Sequence, residues 1–215
     1  MKNKFIVFEG LDGSGKSTLS KMYLNYLLEQ GIDAVLITTG YPMIDSAIKE
    51  IKKNRTYYDI RAHFLLALSN SIMTYKTQIE PNINSGKVVI LDRYYHTTLA
   101  YNMALGLDEK WTKSVALMIP KPDQVIFCNT SMNKLLERKS QKFEDIELGF
   151  SLDSNKQASF ISYQSTVRYF YNKWITEEPD LFYLLDTNQS LEICLDQLKE
   201  FDKNRRKILW KVIQI

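Results

Sequence analysis

Residues 5–18 read Phe5-Ile6-Val7-Phe8-Glu9-Gly10-Leu11-Asp12-Gly13-Ser14-Gly15-Lys16-Ser17-Thr18. The four apolar residues at the start, bounded by a glycine-bearing loop, predict a short strand buried on both faces, as in a parallel sheet. The loop spells Gly10-x4-Gly15-Lys16-Ser17 and runs into the helical spacing of Leu19, Met22, Tyr23, Tyr26 and Leu27. Strand, phosphate-cradling loop and helix thus come in the order that a polyphosphate site needs. A triphosphate brings about four negative charges, and a Gly-rich loop lets consecutive backbone N–H groups converge on its oxygens. The N-terminal end of the following helix adds its positive dipole end, Lys16 adds a full charge, and the Ser17 hydroxyl is a candidate Mg2+ ligand. Thr18 either contacts the α-phosphate or caps the helix. The plain alternative, a glycine-rich turn with a solvent-facing lysine, would give this spacing by chance in on the order of one in a hundred chains of this length. The flanking strand and helix weigh against it.

Outward from that stretch, periodicity alternates strand and helix. Further strands are predicted at 34–39, 88–91, 124–128 and 181–185. Helices are predicted at 46–53, from Asp59 to about Glu80 where Pro81 ends it, at 97–103, 109–118, 131–139 and 158–176, and from about Ser190. The expectation is α/β: a three-layer, doubly wound, five-stranded parallel sheet of P-loop NTPase topology. Residues 1–215 read as one P-loop domain, with a polar, weakly periodic segment at about 138–157 as a mobile lid.

At 215 residues and 45% apolar composition the chain supports one substantial core. Its 28 basic and 25 acidic residues are too balanced for a nucleic-acid track. The apolar run after Lys4 is too short for a signal peptide, and no stretch approaches a spanning helix, so no membrane partner is expected and the expected location is cytoplasmic. Cys128 and Cys194 lie in apolar runs without metal-type spacing and read as buried free thiols of a reducing compartment.

In such sheets ligands gather beyond the carboxyl ends of strands. Asp92, directly after the third strand, is there a candidate Mg2+ ligand, and Arg93 a candidate phosphoryl clamp; the alternative is a surface ion pair at a strand end. Four pieces, FEGLDGSGKST at 8–18, VVILDRYYHTTLAYN at 88–102, PDQVIFCNTSMNKLLER at 122–138 and YQSTVRYFY at 163–171, together resemble the thymidylate kinase family of P-loop nucleoside monophosphate kinases.

The resemblance implies transfer of the γ-phosphoryl of Mg-ATP to a deoxynucleoside monophosphate, most simply dTMP to dTDP, by a homodimer. Carried over, Gly10, Asp12, Gly13, Ser14, Gly15, Lys16, Ser17 and Thr18 form the ATP loop, with Asp12 near the acceptor sugar. Ser17 and Asp92 serve the metal, and Lys16, Arg93, Arg138 and Lys142 are the catalytic cations. Lid positions match at Arg138, Lys142 and Asp145, while Ser140 and Ile146 replace further arginines. Acceptor readers differ more. Gly40-Tyr41-Pro42 stands where the family has Arg-Glu-Pro, and Ala67 and Ser71 stand where it has a stacking aromatic and an arginine, a one-residue slip being open. Tyr41, Arg93, Tyr94 and Tyr101 are the candidate acceptor contacts, with Tyr95 and His96 further replacements. His63 and His96 otherwise read as polar surface or supporting residues, and Tyr57, Tyr58 and Arg61 as a helix-start staple or acceptor contacts. Arg168 reads as a lid neighbour or a surface ion pair, and the basic stretch 203–207 as a closing helix. The departures keep two alternatives open: a P-loop kinase for another acceptor, or a nucleotide-binding protein with little transfer activity.

Overall fold

The computed structural model describes residues 4–53, 59–140 and 142–213. Strand β1 is Phe5–Gly10, and all six of its residues are buried. Its even and odd side chains face opposite cores. Phe5 and Val7 join one cluster with Val89, Leu91, Val125 and Phe127. Ile6 and Phe8 join another with Val88, Ile90, Ile126 and Cys128. Five parallel strands follow the order β2-β3-β1-β4-β5, with β2 at Ala34–Ile37, β3 at Val88–Asp92, β4 at Gln124–Asn129 and β5 at Phe182–Asp186. Register pairs Phe8 with Asp92 and Gly10 with Cys128. The two loops of interest therefore leave adjacent strands at the same level.

Helix α1 (Lys16–Glu29) buries Leu19, Tyr23 and Leu27 under the sheet and shares that layer with α9 (Leu191–Ile213). It ends where Gly31 takes φ 71° and Ile32 N–H returns to the Leu27 carbonyl at 3.0 Å, a glycine stop as its position predicts. The opposite layer holds α3 (Ile60–Thr74), α5 (Tyr95–Ala104), α6 (Glu109–Ala116) and α8 (Lys156–Glu177).

Three boundaries differ from the sequence reading. Helix α2 begins at Pro42 (Pro42–Lys53), because proline is pre-set for a first helical turn. The long helix does not stop at Pro81. It widens into a π turn at Tyr75–Ile79, where Glu80 N–H reaches the Tyr75 carbonyl, and continues as α4 (Glu80–Asn84) with Pro81 in its first turn. A proline lacks the donor for an ordinary i→i−4 bond, and the wider turn before it accommodates the ring. The 140–156 segment carries a 3-10 turn, Asp145–Leu148, with a capping box between Glu144 and Glu147 and a buried Leu148. Tyr57 and Tyr58 lie outside the described residues, as do the side chains of the 206–213 stretch. No described helix is long and apolar enough to cross a membrane.

Candidate active site

The carboxyl end of β1 makes the first wall. Gly10 has φ 143°, and a Cβ there would lie 2.8 Å from the Cys128 carbonyl and 2.9 Å from Ser14 Oγ, so only glycine lets the chain leave the sheet at this point. Lys16 opens α1 and folds back over the loop, its Nζ donating to the Leu11 carbonyl at 2.6 Å and to Ser14 Oγ at 3.3 Å. Burial, with the Arg93 charge close by, lowers its pKa to about 8. Ser17 and Thr18 are exposed on the first turn of α1.

The second wall comes from β3. Asp92 is its last residue, and its Oδ1 is buried and meets no hydrogen-bond donor among the described residues. Arg93 turns with φ 70°, an uncommon conformation for arginine, which aims its guanidinium back at the loop. There it pairs with Asp12, donates to Thr97 Oγ1 at 3.2 Å and lies 5.7 Å from the Tyr101 ring centroid. Burial would raise the Asp12 carboxyl, but the Arg93 and Lys16 charges outweigh it and hold the group below its usual range. Tyr101 OH donates to Asp12 at 2.7 Å, and Gln164 Nε2 lies 3.5 Å from the same oxygen.

A cavity of 380 Å3 opens between these walls and α3, lined by Asp12, Asp92, Arg93, Tyr94 and Tyr101 together with Gly40, Asp45, Ala67, Asn70 and Ser71. Its volume suits a small-molecule ligand. Ala67 and Ser71, the matched acceptor positions, therefore do face the ligand space. Tyr94 also lines it, but it is 5% exposed and packs edge-on against Phe5 and Tyr95, a core contact first. Tyr41 is not among the lining residues; its contribution is a backbone N–H donated to Asn70 Oδ1 at 2.7 Å.

The lid cations divide. Arg138 lies along the phosphate loop, donating to the Gly13 carbonyl at 3.3 Å and the Thr187 carbonyl at 2.6 Å. Lys142 is exposed, while Lys139, which the sequence reading passed over, pairs with buried Glu147. Arg168 donates to the Thr130 carbonyl beside the loop, and burial lowers its pKa. His96 corrects the surface reading. It is buried, stacked on Tyr95 and edge-on to Trp174 and Phe182, and burial drops its pKa to about 3. His63 is buried as well and contacts Asn102 Oδ1 at 3.1 Å on the cavity wall. Asp59 caps α3 by accepting from Arg61 and Ala62 N–H, and the exposed Arg61 guanidinium pairs with it.

Glu9 escaped the sequence reading. Fully buried, it accepts from Tyr94 N–H at 2.9 Å, Thr97 N–H at 3.3 Å and Tyr171 OH at 2.8 Å, and so closes the N-terminus of α5 from a neighbouring strand. The available signal was a charge extending a buried strand, which folded proteins keep only when it is partnered.

The family model for thymidylate kinase matches residues 8–198. The chain is 33% identical over 203 residues to probable thymidylate kinase 1 of Saccharolobus solfataricus, covering 94% of this chain and 98% of that protein. It is 34% identical over 135 residues to the probable thymidylate kinase of Sulfurisphaera tokodaii, 63% and 68% of the two chains. With the thymidylate kinase of Thermoanaerobacter sp. (strain X514) it shares 30% identity over 197 residues, 89% and 93% of the two. A phosphate loop on the central strand, an Asp-Arg turn on its neighbour and a match running nearly end to end place this chain in the thymidylate kinase family.

Proposed function

We propose that the chain transfers the γ-phosphoryl of ATP to the phosphate of thymidylate, giving ADP and dTDP. The observation that carries this reading is the facing pair of loops, Asp12 and Lys16 on one and Asp92 and Arg93 on the other, with Asp12, Asp92 and Arg93 lining one cavity and the buried Asp92 Oδ1 unpartnered among the described residues. Residues 10–18 hold the donor polyphosphate, with Lys16 on the β and γ oxygens. A phosphate oxygen of the acceptor needs little help from a base, so the protein contributes position and positive charge. Arg93 clamps the acceptor phosphate beside Asp12, and Tyr101 orients Asp12. Arg138, on the outer flank of the loop, supplies a lid-side cation, and exposed Lys142 comes to the donor as the 138–157 segment moves over it.

The buried, unpartnered Asp92 oxygen and the exposed Ser17 hydroxyl fit magnesium, a hard ion usually held by one or two protein oxygens plus phosphates. When bound, magnesium supplies charge neutralisation at the transferring phosphates. Two buried reduced thiols, Cys128 and Cys194, support a reducing, cytoplasmic setting. Exposed Met43 on α2 and Leu65 on α3 support a homodimer through the long helices.

Lys16→Ala tests the reading: transfer from ATP to dTMP should vanish while the circular dichroism of the fold remains. Undiminished turnover by that variant refutes it.

A further inference from the structure

The cavity wall is electrostatically lopsided. Among the described residues Arg93 is the only Lys or Arg side chain that lines it, whereas Asp12, Asp45 and Asp92 are carboxylates. A phosphate therefore settles at the Arg93 end, and the uncharged end of the acceptor, its base, faces α2 and α3. At that end the Asn70 carboxamide spans from α3 to the loop before α2. Its Oδ1 accepts from Tyr41 N–H at 2.7 Å, and its Nδ2 donates to Asp45 Oδ1 at 2.6 Å. A flip would set oxygen against carboxylate and N–H against N–H, so the amide has one orientation.

The seat exists because residue 40 has no side chain. A Cβ on Gly40 would fall 2.2 Å from Asn70 Nδ2 and 2.6 Å from Oδ1. A side chain at position 40 would therefore displace the Asn70 carboxamide from this seat. A carboxamide has two N–H donors and two lone pairs on oxygen. One of each is engaged within the protein, leaving one N–H and one oxygen lone pair on a carboxamide that lines the cavity, groups able to bond a carbonyl oxygen or an N–H of a nucleobase. Neighbouring Ser71 donates its hydroxyl to the Ala67 carbonyl at 3.2 Å and so presents only acceptor lone pairs.

Building on the proposed acceptor, we propose that Asn70, pinned by Asp45 and Tyr41 and admitted by Gly40, is the specificity-determining residue that reads the polar edge of the acceptor base.

The test is steady-state kinetics with dTMP and dCMP as acceptors and ATP as donor. Asn70→Ala should raise the dTMP KM about tenfold, the loss of a hydrogen bond or two, and narrow the dTMP to dCMP ratio of kcat/KM about fivefold. The ATP KM should stay within about twofold. Gly40→Ala keeps the carboxamide but takes its seat and should reproduce the acceptor defect, and Gly40→Ala with Asn70→Ala should be no worse than Asn70→Ala alone. If Asn70→Ala does not fold, Asn70→Ser is read in the same way. An unchanged dTMP to dCMP ratio in a folded variant overturns the inference, as do fully additive Gly40 and Asn70 effects. Failure of the unsubstituted protein to phosphorylate dTMP would instead refute the proposed function.

Discussion

Lys16 holds a charge where burial and Arg93 both resist it, and this has two consequences of opposite sign with pH. Because its pKa falls from the usual 10.5 to about 8, the free protein loses this proton above about pH 8, and the kcat/KM for ATP should drop there by about tenfold per pH unit. Between about 8 and 10.5 the unfolded chain binds more protons at this position than the folded one, so its contribution to stability rises with pH over the same window. A kcat/KM for ATP that stays flat to pH 10 would sink this account. At this scale the sequence was partly legible. Gly10, Lys16, Asp92 and Arg93 declare themselves because their chemistry is tied to short spacings around strand ends. Asn70 and Glu9 do not, because their partners, Tyr41 and Asp45 for one and Thr97 and Tyr171 for the other, lie far along the chain.

Helix α5 starts without a side-chain cap of its own, since Tyr94 at its N-cap position has none to give. Glu9 fills that role from β1, tying the Arg93 turn to the phosphate-loop strand. Glu9→Ala would strand the Tyr94 and Thr97 N–H groups and leave the Tyr171 hydroxyl only its Thr97 contact, and should cost roughly 2–4 kcal/mol in a denaturant titration, at about 1–3 kcal/mol for each unsatisfied group with partial relaxation. Glu9→Gln should cost less, since its amide oxygen still accepts from both N–H groups. An alanine variant as stable as the parent would contradict this role. Elements were legible where periodicity and punctuation agree, as at α1 and its Gly31 stop. They were misread where one residue has two uses: Pro81 looked like a terminator, yet the π turn before it lets the helix run on.

At the level of the molecule, one sheet carries both halves of the site, so binding and folding are linked. Mg-ATP at a hundredfold excess over its Kd should add about 2.7 kcal/mol to the folded state. For a chain of this size that is a melting shift of roughly 5–11 °C, diminished when EDTA removes the metal. No shift at saturating nucleotide would speak against the site. The whole-sheet topology followed from strand–helix alternation, but the arrangement around the acceptor did not, because a cavity is shaped by elements that meet only in three dimensions.

The strand order has a further consequence for biosynthesis. β1 precedes both of its neighbours in the chain, and the flanking strands Val88–Asp92 and Gln124–Asn129 follow only after long intervening segments. On the ribosome this fully buried ribbon must therefore wait with both edges unpaired until residue 92 has cleared the exit tunnel, and with one edge unpaired until residue 129 has done so. A nascent chain halted short of that point has no platform for nucleotide and leaves a sticky edge for chaperones to cover.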